Sequence, residues 1–369
     1  MQAVRAAARA NPCGCIPALA GRASLARMWL KRPCHPCTPT ASTGWRRASS
    51  GGPSTCVSAA HRRLIVVDFD DTCTEGDTIS HLVSATRVLQ PAQVVEDKER
   101  TYKTLLREYI EERNELVDRL FNVDSVNLAT SKAMPGSQGV GACPKRAWLE
   151  MFLHELSCFE TRRNDVVLAS GILHGATMET IARASQNVVF RDACLETLHQ
   201  ASTSAGTSVT VLSANWSEEF IRAALSNHHG AFGGFDADNV EIIANSLEFD
   251  AGMTTGGMRV RQCQTPNDKD RLLRELVGGW QQSVYVGDSV GDVPALLGST
   301  AGIVMGNNVL LERVLERGGV ETRDIEALCE DLKDWEGLGG ENGGREPREH
   351  RVVYRTSSWE AIQVALGLQ

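Results

Sequence analysis

The chain has 369 residues, 42% of them hydrophobic and 23% charged, which supports a sizeable globular core and excludes wholesale disorder, a collagen repeat and a small disulfide scaffold. The formal net charge of −8 is unevenly spread, because no Asp or Glu precedes Asp68 while residues 1–60 carry seven Arg and Lys31. Setting those eight aside from the 38 basic residues leaves 30 against 46 acidic, a net −16 that argues against nucleic acid or an anionic membrane as the partner of the body.

The acid-free head is rich in Ala, Arg, Ser, Thr and Pro and has no apolar run long enough for a signal-peptide core or a membrane helix. Residues 1–60 are therefore expected to be an organelle transit peptide, mitochondrial or chloroplast, without stable structure; a disordered extension with no address is the alternative. Of 11 cysteines, five lie in the head and six are scattered through the body without paired spacing, so neither a disulfide framework nor a zinc site is expected there. Cys34-His35-Pro36-Cys37 has ligand-like spacing but lacks a second ligand pair.

In chain order, Leu64-Ile65-Val66-Val67 is a continuous apolar run ending in carboxylates, the pattern of a strand buried on both faces of a parallel sheet. Residues 77–185 read as helices, with Tyr102, Leu105, Tyr109, Leu116 and Leu120 on one stripe, a second segment from Trp148 to Cys158 and a third around Met178 and Ile181. Val123 to Pro144 reads as a loop. From Asp192 the pattern alternates. A helix at 192–203 precedes the strand Ser208–Leu212, and a helix follows from Glu218. Val240–Phe249 and Met258–Arg261 read as a strand pair around Asp250–Gly257. A helix at 268–277 leads to the strand Ser283–Val286, then the strand Gly302–Met305. Residues 336–350 read as a Gly-rich loop before a strand and helix at 352–366. This rhythm predicts a doubly wound α/β fold whose strand ends share one edge, where ligands bind.

Four features fall at that edge. Alternation along an extended strand end puts Asp68 and Asp70 on one side, so that two carboxylates converge. Ser213 follows its strand directly and precedes a helix start at Ser217, so its hydroxyl and the adjacent backbone N–H of Ala214 suit a phosphate oxygen. Lys269 begins a helix, and Gly287-Asp288-Ser289-Val290-Gly291-Asp292 follows another strand. Together they supply the nucleophile, cation, positioning donors and proton-transfer group that a phosphoryl group needs.

In their order and placement these four motifs resemble the haloacid dehalogenase (HAD) superfamily, over roughly 64–335. The resemblance implies a Rossmann-like core (61–76 and 186–369) with an inserted all-helical cap (77–185). It implies that Asp68 is the nucleophile, forming an aspartyl-phosphate, and that Asp70 is the general acid/base. Ser213, Ala214 and Lys269 would hold the phosphoryl oxygens. Mg²⁺ would be held by Asp68, Asp288 and the backbone carbonyl of Asp70, with Asp292 on its water shell, an oxygen-ligand setting that suits this ion. The presence of Asp70 points to phosphate esters rather than carbon–halogen bonds. Asp68–Thr74, Leu212–Trp216, Val286–Asp292 and Tyr354–Trp359 further resemble the plant thiamin monophosphate phosphatase domain. That family's accompanying thiaminase-like domain has no counterpart in the 67 residues before Asp68, and Asp71 stands where an apolar residue is expected. A thiazolium leaving group would call for carboxylates and aromatic faces, for which Glu75, Asp77, Tyr102, Tyr109 and Trp148 are available. Other small phosphomonoesters, such as a pyrimidine nucleotide or phosphoserine, and a catalytically silent phospholigand-binding role are the alternatives.

Overall fold

The computed structural model describes residues 62–123, 143–228, 230, 235–337 and 352–368. The basic head at 1–60 and most of the loops expected at 123–144 and 336–350 lie outside those residues.

A seven-stranded sheet in the order β4-β3-β1-β7-β8-β10-β9 forms the body. Its strands are β1 (Arg63–Val67), β3 (Thr207–Leu212), β4 (Val240–Ile243), β7 (Gln282–Gly287), β8 (Ala301–Met305), β9 (Glu321–Asp324) and β10 (Val352–Thr356). Every pairing is parallel. The pleat explains why β1 is apolar throughout: Ile65 and Val67 enter one apolar cluster while Leu64 and Val66 enter the other. On β7, Val284 and Val286 likewise join the first cluster and Tyr285 the second. Both faces of the sheet are thus covered, as a doubly wound fold requires. Pairing of Val67 with both Val211 and Val286 sets Asp68 level with Leu212 and Gly287, so that Ser213 and Asp288 come one step beyond it on either side.

Between β1 and β3 run α1 (Ile79–Ala85), α2 (Ala92–Phe121), α3 (Pro144–Ala169), α4 (Met178–Ser185) and α5 (Cys194–Thr203). Helices α6 (Glu218–Ser226), α7 (Pro266–Val277), α8 (Val293–Gly298), α9 (Val309–Arg317), α10 (Glu326–Gly337) and α11 (Trp359–Ala365) follow later strands. The inserted helices are tied to the body. Leu116, Leu120, Trp148, Phe152 and Leu156 share an apolar cluster with Leu64 and Leu273, and Arg317 donates to the carbonyls of Phe121 and Val123 at the end of α2.

Three sequence expectations change. Val240–Phe249 is two strands rather than one: β4 ends at Ile243 in the main sheet, and β5 (Ser246–Asp250) pairs with β6 (Met253–Val260) in a second sheet. The break lies at Asn245, whose backbone amide donates to the Asn215 carbonyl (3.3 Å) and whose carbonyl accepts from the Glu218 amide (2.7 Å), so that neither is left for a strand ladder. The β5–β6 turn is confined to Ala251 and Gly252, both at positive φ, instead of extending to Gly257. Within the segment read as helical, β2 (His174–Thr177) adds to the second sheet in the order β2-β6-β5.

Candidate active site

At the end of β1 the chain does not stay extended as far as Asp70. The amide of Cys73 returns to the carbonyl of Phe69 at 2.9 Å, and Asp71 takes φ 58°, a left-handed conformation that Asp tolerates better than most residues. This accounts for an acidic residue at position 71. Arg191 donates to the Asp71 carbonyl through Nη2 (2.8 Å) and Nε (3.1 Å), and Trp359 Nε1 donates to the Thr72 carbonyl at 3.0 Å, so the turn is held from two sides.

The turn sends the two expected carboxylates to different partners. Asp68 Oδ1 accepts from the amide of Phe69 (2.8 Å), and its Oδ2 lies 2.9 Å from Lys269 Nζ. Asp70 Oδ1 accepts from the amide and hydroxyl of Thr78 (2.8 and 2.6 Å), and Oδ2 accepts from Asn215 Nδ2 (2.9 Å). Alternation along a strand is therefore not what relates Asp68 to Asp70. Burial pushes the Asp68 carboxyl up to about 6, with Lys269 opposing. Burial and then the charge of Asp77 push Asp70 up to about 7, against the bonds from Thr78 and Asn215.

Lys269 stands in the first turn of α7, which is opened by a capping box between Thr265 and Asp268. Its ammonium also lies 2.6 Å from Asp292 Oδ1. That oxygen accepts from the Tyr285 hydroxyl as well (2.7 Å), and Asp292 Oδ2 accepts from the amide (2.9 Å) and hydroxyl (2.7 Å) of Ser289. Burial disfavours both charges of the pair, but attraction dominates: Asp292 is held below the usual carboxylate range, and Lys269 is raised well above the usual range of an ammonium. Gly287 is required here, since a Cβ would meet Asp292 Cγ at 2.5 Å. Asp288 is oriented by the Thr72 hydroxyl on Oδ1 (3.2 Å) and by Asn308 Nδ2 on its carbonyl (2.9 Å).

Asp68, Asp288 and Asp292 are all buried and each offers a carboxylate oxygen within 4.8 Å of the others. Three carboxylates against one ammonium is an excess of negative charge that a divalent cation would balance, and a donor set made only of oxygens suits a hard ion. The Asp70 side chain is not in that cluster. Ser213 is buried, its amide spent on the Ile243 carbonyl (3.0 Å) and its Oγ accepting from Asn215 (3.1 Å); Ala214 beside it is exposed.

Sequence reasoning missed Thr78, Asn215, Tyr285 and Ser289 as partners of the acidic groups. The signals were slight: Asn215 sits two residues after Ser213, and Tyr285 is a lone hydroxyl in an apolar strand. Of the residues expected to face a leaving group, Trp148 is fully buried, donates to the Leu120 carbonyl at 3.0 Å and packs on Phe121 and Phe152; it is a core residue. Glu75 is exposed, while Asp77, Tyr102 and Tyr109 are half-buried.

A family model for haloacid dehalogenase-like hydrolases matches residues 120–297, a span that includes Ser213, Lys269, Asp288 and Asp292. The chain carries a HAD-like hydrolase domain. Among curated proteins, the chain is 28% identical over 337 residues to the mitochondrial bifunctional TH2 protein of Arabidopsis thaliana, covering 82% of this chain and 49% of the relative. It thus spans about half the length of that relative. A CTO1 family protein of Schizosaccharomyces pombe is 26% identical over 316 residues, covering 82% of this chain and 98% of its own length. A substrate-bound phosphoserine phosphatase structure aligns at TM-score 0.41 and 15% identity, over 69% of this chain and 91% of that one. Asp68, Ser213 and Asp288 follow β1, β3 and β7 at the carboxyl edge of the sheet, with Asp292 in the next turn and Lys269 in the first turn of α7.

Proposed function

We propose that this protein is a Mg²⁺-dependent phosphomonoesterase acting through an aspartyl-phosphate on Asp68, and that its substrate is thiamin monophosphate. The observation that carries the reading is the buried cluster of Asp68, Asp288 and Asp292, with Lys269 bonded to the first and last of these. Asp68, Asp288 and the Asp70 carbonyl would hold the ion, and Asp292, engaged on both oxygens by Lys269, Tyr285 and Ser289, would hold its water shell. When bound, Mg²⁺ supplies neutralising charge to the phosphoryl oxygens.

The chain's own groups account for the remaining steps. The Ser213 hydroxyl, the Ala214 amide and the Lys269 ammonium position the phosphoryl oxygens. An Asp68 oxygen bonds to phosphorus as the ester P–O bond breaks, and protonated Asp70 gives its proton to the departing alkoxide. Asp70 then takes a proton from water as that water attacks phosphorus and the bond to Asp68 breaks, restoring the carboxylate. A carboxyl that ionises at about 7 is matched to both transfers. Residues 61–76 and 186–369 serve as the core and 77–185 as a cap that keeps water from the reacting group.

Similarity to a TH2 protein supports the thiamin ester, and that relative's mitochondrial name, together with the acid-free residues 1–60, supports an organellar address. The test is kcat/KM of the full chain with Mg²⁺ on thiamin monophosphate, pyrimidine nucleotides and phosphoserine. Thiamin monophosphate is expected to be preferred. Equal rates would remove the specific substrate, and no phosphate release from any ester would remove the enzyme reading.

A further inference from the structure

Asn215, in the loop between β3 and α6, is buried, and its side-chain amide has one possible orientation. The Ser217 amide meets it at 3.1 Å, and because a backbone N–H only donates, the atom it meets is Oδ1. Nδ2 is thereby turned toward the start of α1. Its two hydrogens have two acceptors, Asp70 Oδ2 at 2.9 Å and the Thr78 hydroxyl at 3.1 Å. The Thr78 oxygen, accepting from Asn215, sends its own hydrogen to Asp70 Oδ1 at 2.6 Å, and the Thr78 amide donates to the same oxygen at 2.8 Å. Oδ1 thus has two donors, one for each lone pair. Among the described residues Oδ2 has the single donor Asn215, which leaves it a lone pair for a transferable proton.

The loop that carries Asn215 is closed by other groups. The Asn215 amide donates to Ser213 Oγ at 3.1 Å, and its carbonyl accepts from the amide and the side chain of Asn245 at 3.3 and 3.0 Å. Trp216 Nε1 donates to Asn164 on α3 at 2.9 Å, and Ser217 opens α6 by accepting from the Phe220 amide at 3.0 Å. None of these bonds uses Nδ2. The loop is a fixed base, and what it extends from Asn215 is a pair of N–H donors aimed at Asp70 and at Thr78. A carboxyl held on both oxygens loses rotation about its Cβ–Cγ bond, and a proton donor fixed in one plane is what transfer to a departing oxygen requires.

We propose that Asn215 is a positioning residue for the proton donor: with the Thr78 hydroxyl it fixes the plane of the Asp70 carboxyl and makes Oδ2 the oxygen that carries the transferred proton. This rests on the phosphomonoesterase reading and deepens it. As the ester P–O bond breaks, its electron pair stays on the leaving oxygen, which takes the proton from Oδ2 while an Asp68 oxygen bonds to phosphorus. The leaving group departs with its hydroxyl restored, and Asp70 is left as a carboxylate. A leaving group that is stable as an anion has no need of this proton. A misplaced donor therefore slows the cleavage of alkyl esters and spares that of acidic phenol esters.

The test uses the full chain with Mg²⁺ and compares p-nitrophenyl phosphate with an alkyl ester, whichever of thiamin monophosphate, uridine monophosphate and phosphoserine the wild type cleaves fastest. Asn215→Ala is expected to lower kcat/KM by about thirtyfold or more on the alkyl ester and by about threefold or less on p-nitrophenyl phosphate. The readout is kcat/KM because it covers the first phosphoryl transfer, before the water step in which Asp70 takes a proton. A purely structural role, acting through Ser213 or the acidic cluster, would slow both esters alike. Thr78→Val, which removes the hydroxyl between Asn215 and Asp70, should show the same selective loss, and Thr78→Ser should restore most of it; this pair decides the matter where Asn215→Ala does not fold. An equal loss on both esters, or no loss on the alkyl ester, overturns the positioning role and leaves the phosphatase reading in place. Cleavage of no ester by the wild type removes the phosphatase reading, and the positioning role with it.

Discussion

Lys269 lies 2.6 Å from Asp292, and both side chains are almost wholly removed from water. The same ammonium is 2.9 Å from Asp68, so one cation offsets two buried carboxylates. Removing one member of such a group leaves uncompensated buried charge. Lys269→Met is therefore expected to destabilise the apo protein by about 3–5 kcal/mol and to abolish turnover. Thermal unfolding in EDTA checks this; an unchanged Tm would mean that the pairing contributes nothing to folding.

Asp70 ionises at about 7 in the folded chain, raised from 3.8 chiefly by burial. The folded state thus holds a proton that the unfolded state has released. The resulting stability is complete below about pH 4 and is lost as pH rises through about 7. Asp70→Asn removes the dependence. In EDTA at about pH 8 the variant should be more stable than wild type by about 1–3 kcal/mol, though inactive, and the gap should close toward about pH 4. Urea denaturation of both proteins across this range measures it; a variant less stable at every pH would contradict the assignment.

Asp68 is raised to about 6, again mainly by burial, and a bound cation must displace its proton. The affinity for Mg²⁺ should therefore rise with pH through about 6. A Tm increase from added Mg²⁺ that is larger at about pH 7.5 than at about pH 5.5 is expected. The reverse order would place the ion elsewhere.

The Tyr285 hydroxyl donates to Asp292 at 2.7 Å from within the sheet. Tyr285→Phe should cost about 1–2 kcal/mol of stability and weaken Mg²⁺ binding by about tenfold, with little change in KM. A Mg²⁺ titration of activity separates this from a packing defect, which would lower Tm and leave the metal dependence as in wild type.

What the sequence made legible follows from how directly each residue is tied to an apolar run. Asp68, Ser213 and Asp288 each stand just after a strand whose last four residues are buried, and a parallel sheet brings such positions to one edge. Lys269 was marked by its place at a helix start. The partners of Asp70 were not legible, because Thr78 and Asn215 are common loop residues whose meeting depends on the turn at Asp71. Strands β2 and β9 escaped notice for a different reason. His174–Thr177 and Glu321–Asp324 lack apolar runs and lie at sheet edges, where polar residues are the norm. Trp148 misled because an aromatic residue on an inserted helix looks the same in sequence whether it meets a ligand or a neighbouring helix.

Covalent attack by Asp68 is most directly read by acid-quenching the full chain during turnover of thiamin monophosphate with Mg²⁺ and mapping its peptides by mass spectrometry. The peptide bearing Asp68 should carry one added phosphoryl group in the wild type, in larger amount in Asp70→Asn with an activated ester such as p-nitrophenyl phosphate, and none in Asp68→Asn. Label on any other residue, or steady turnover by Asp68→Asn, would contradict Asp68 as the nucleophile.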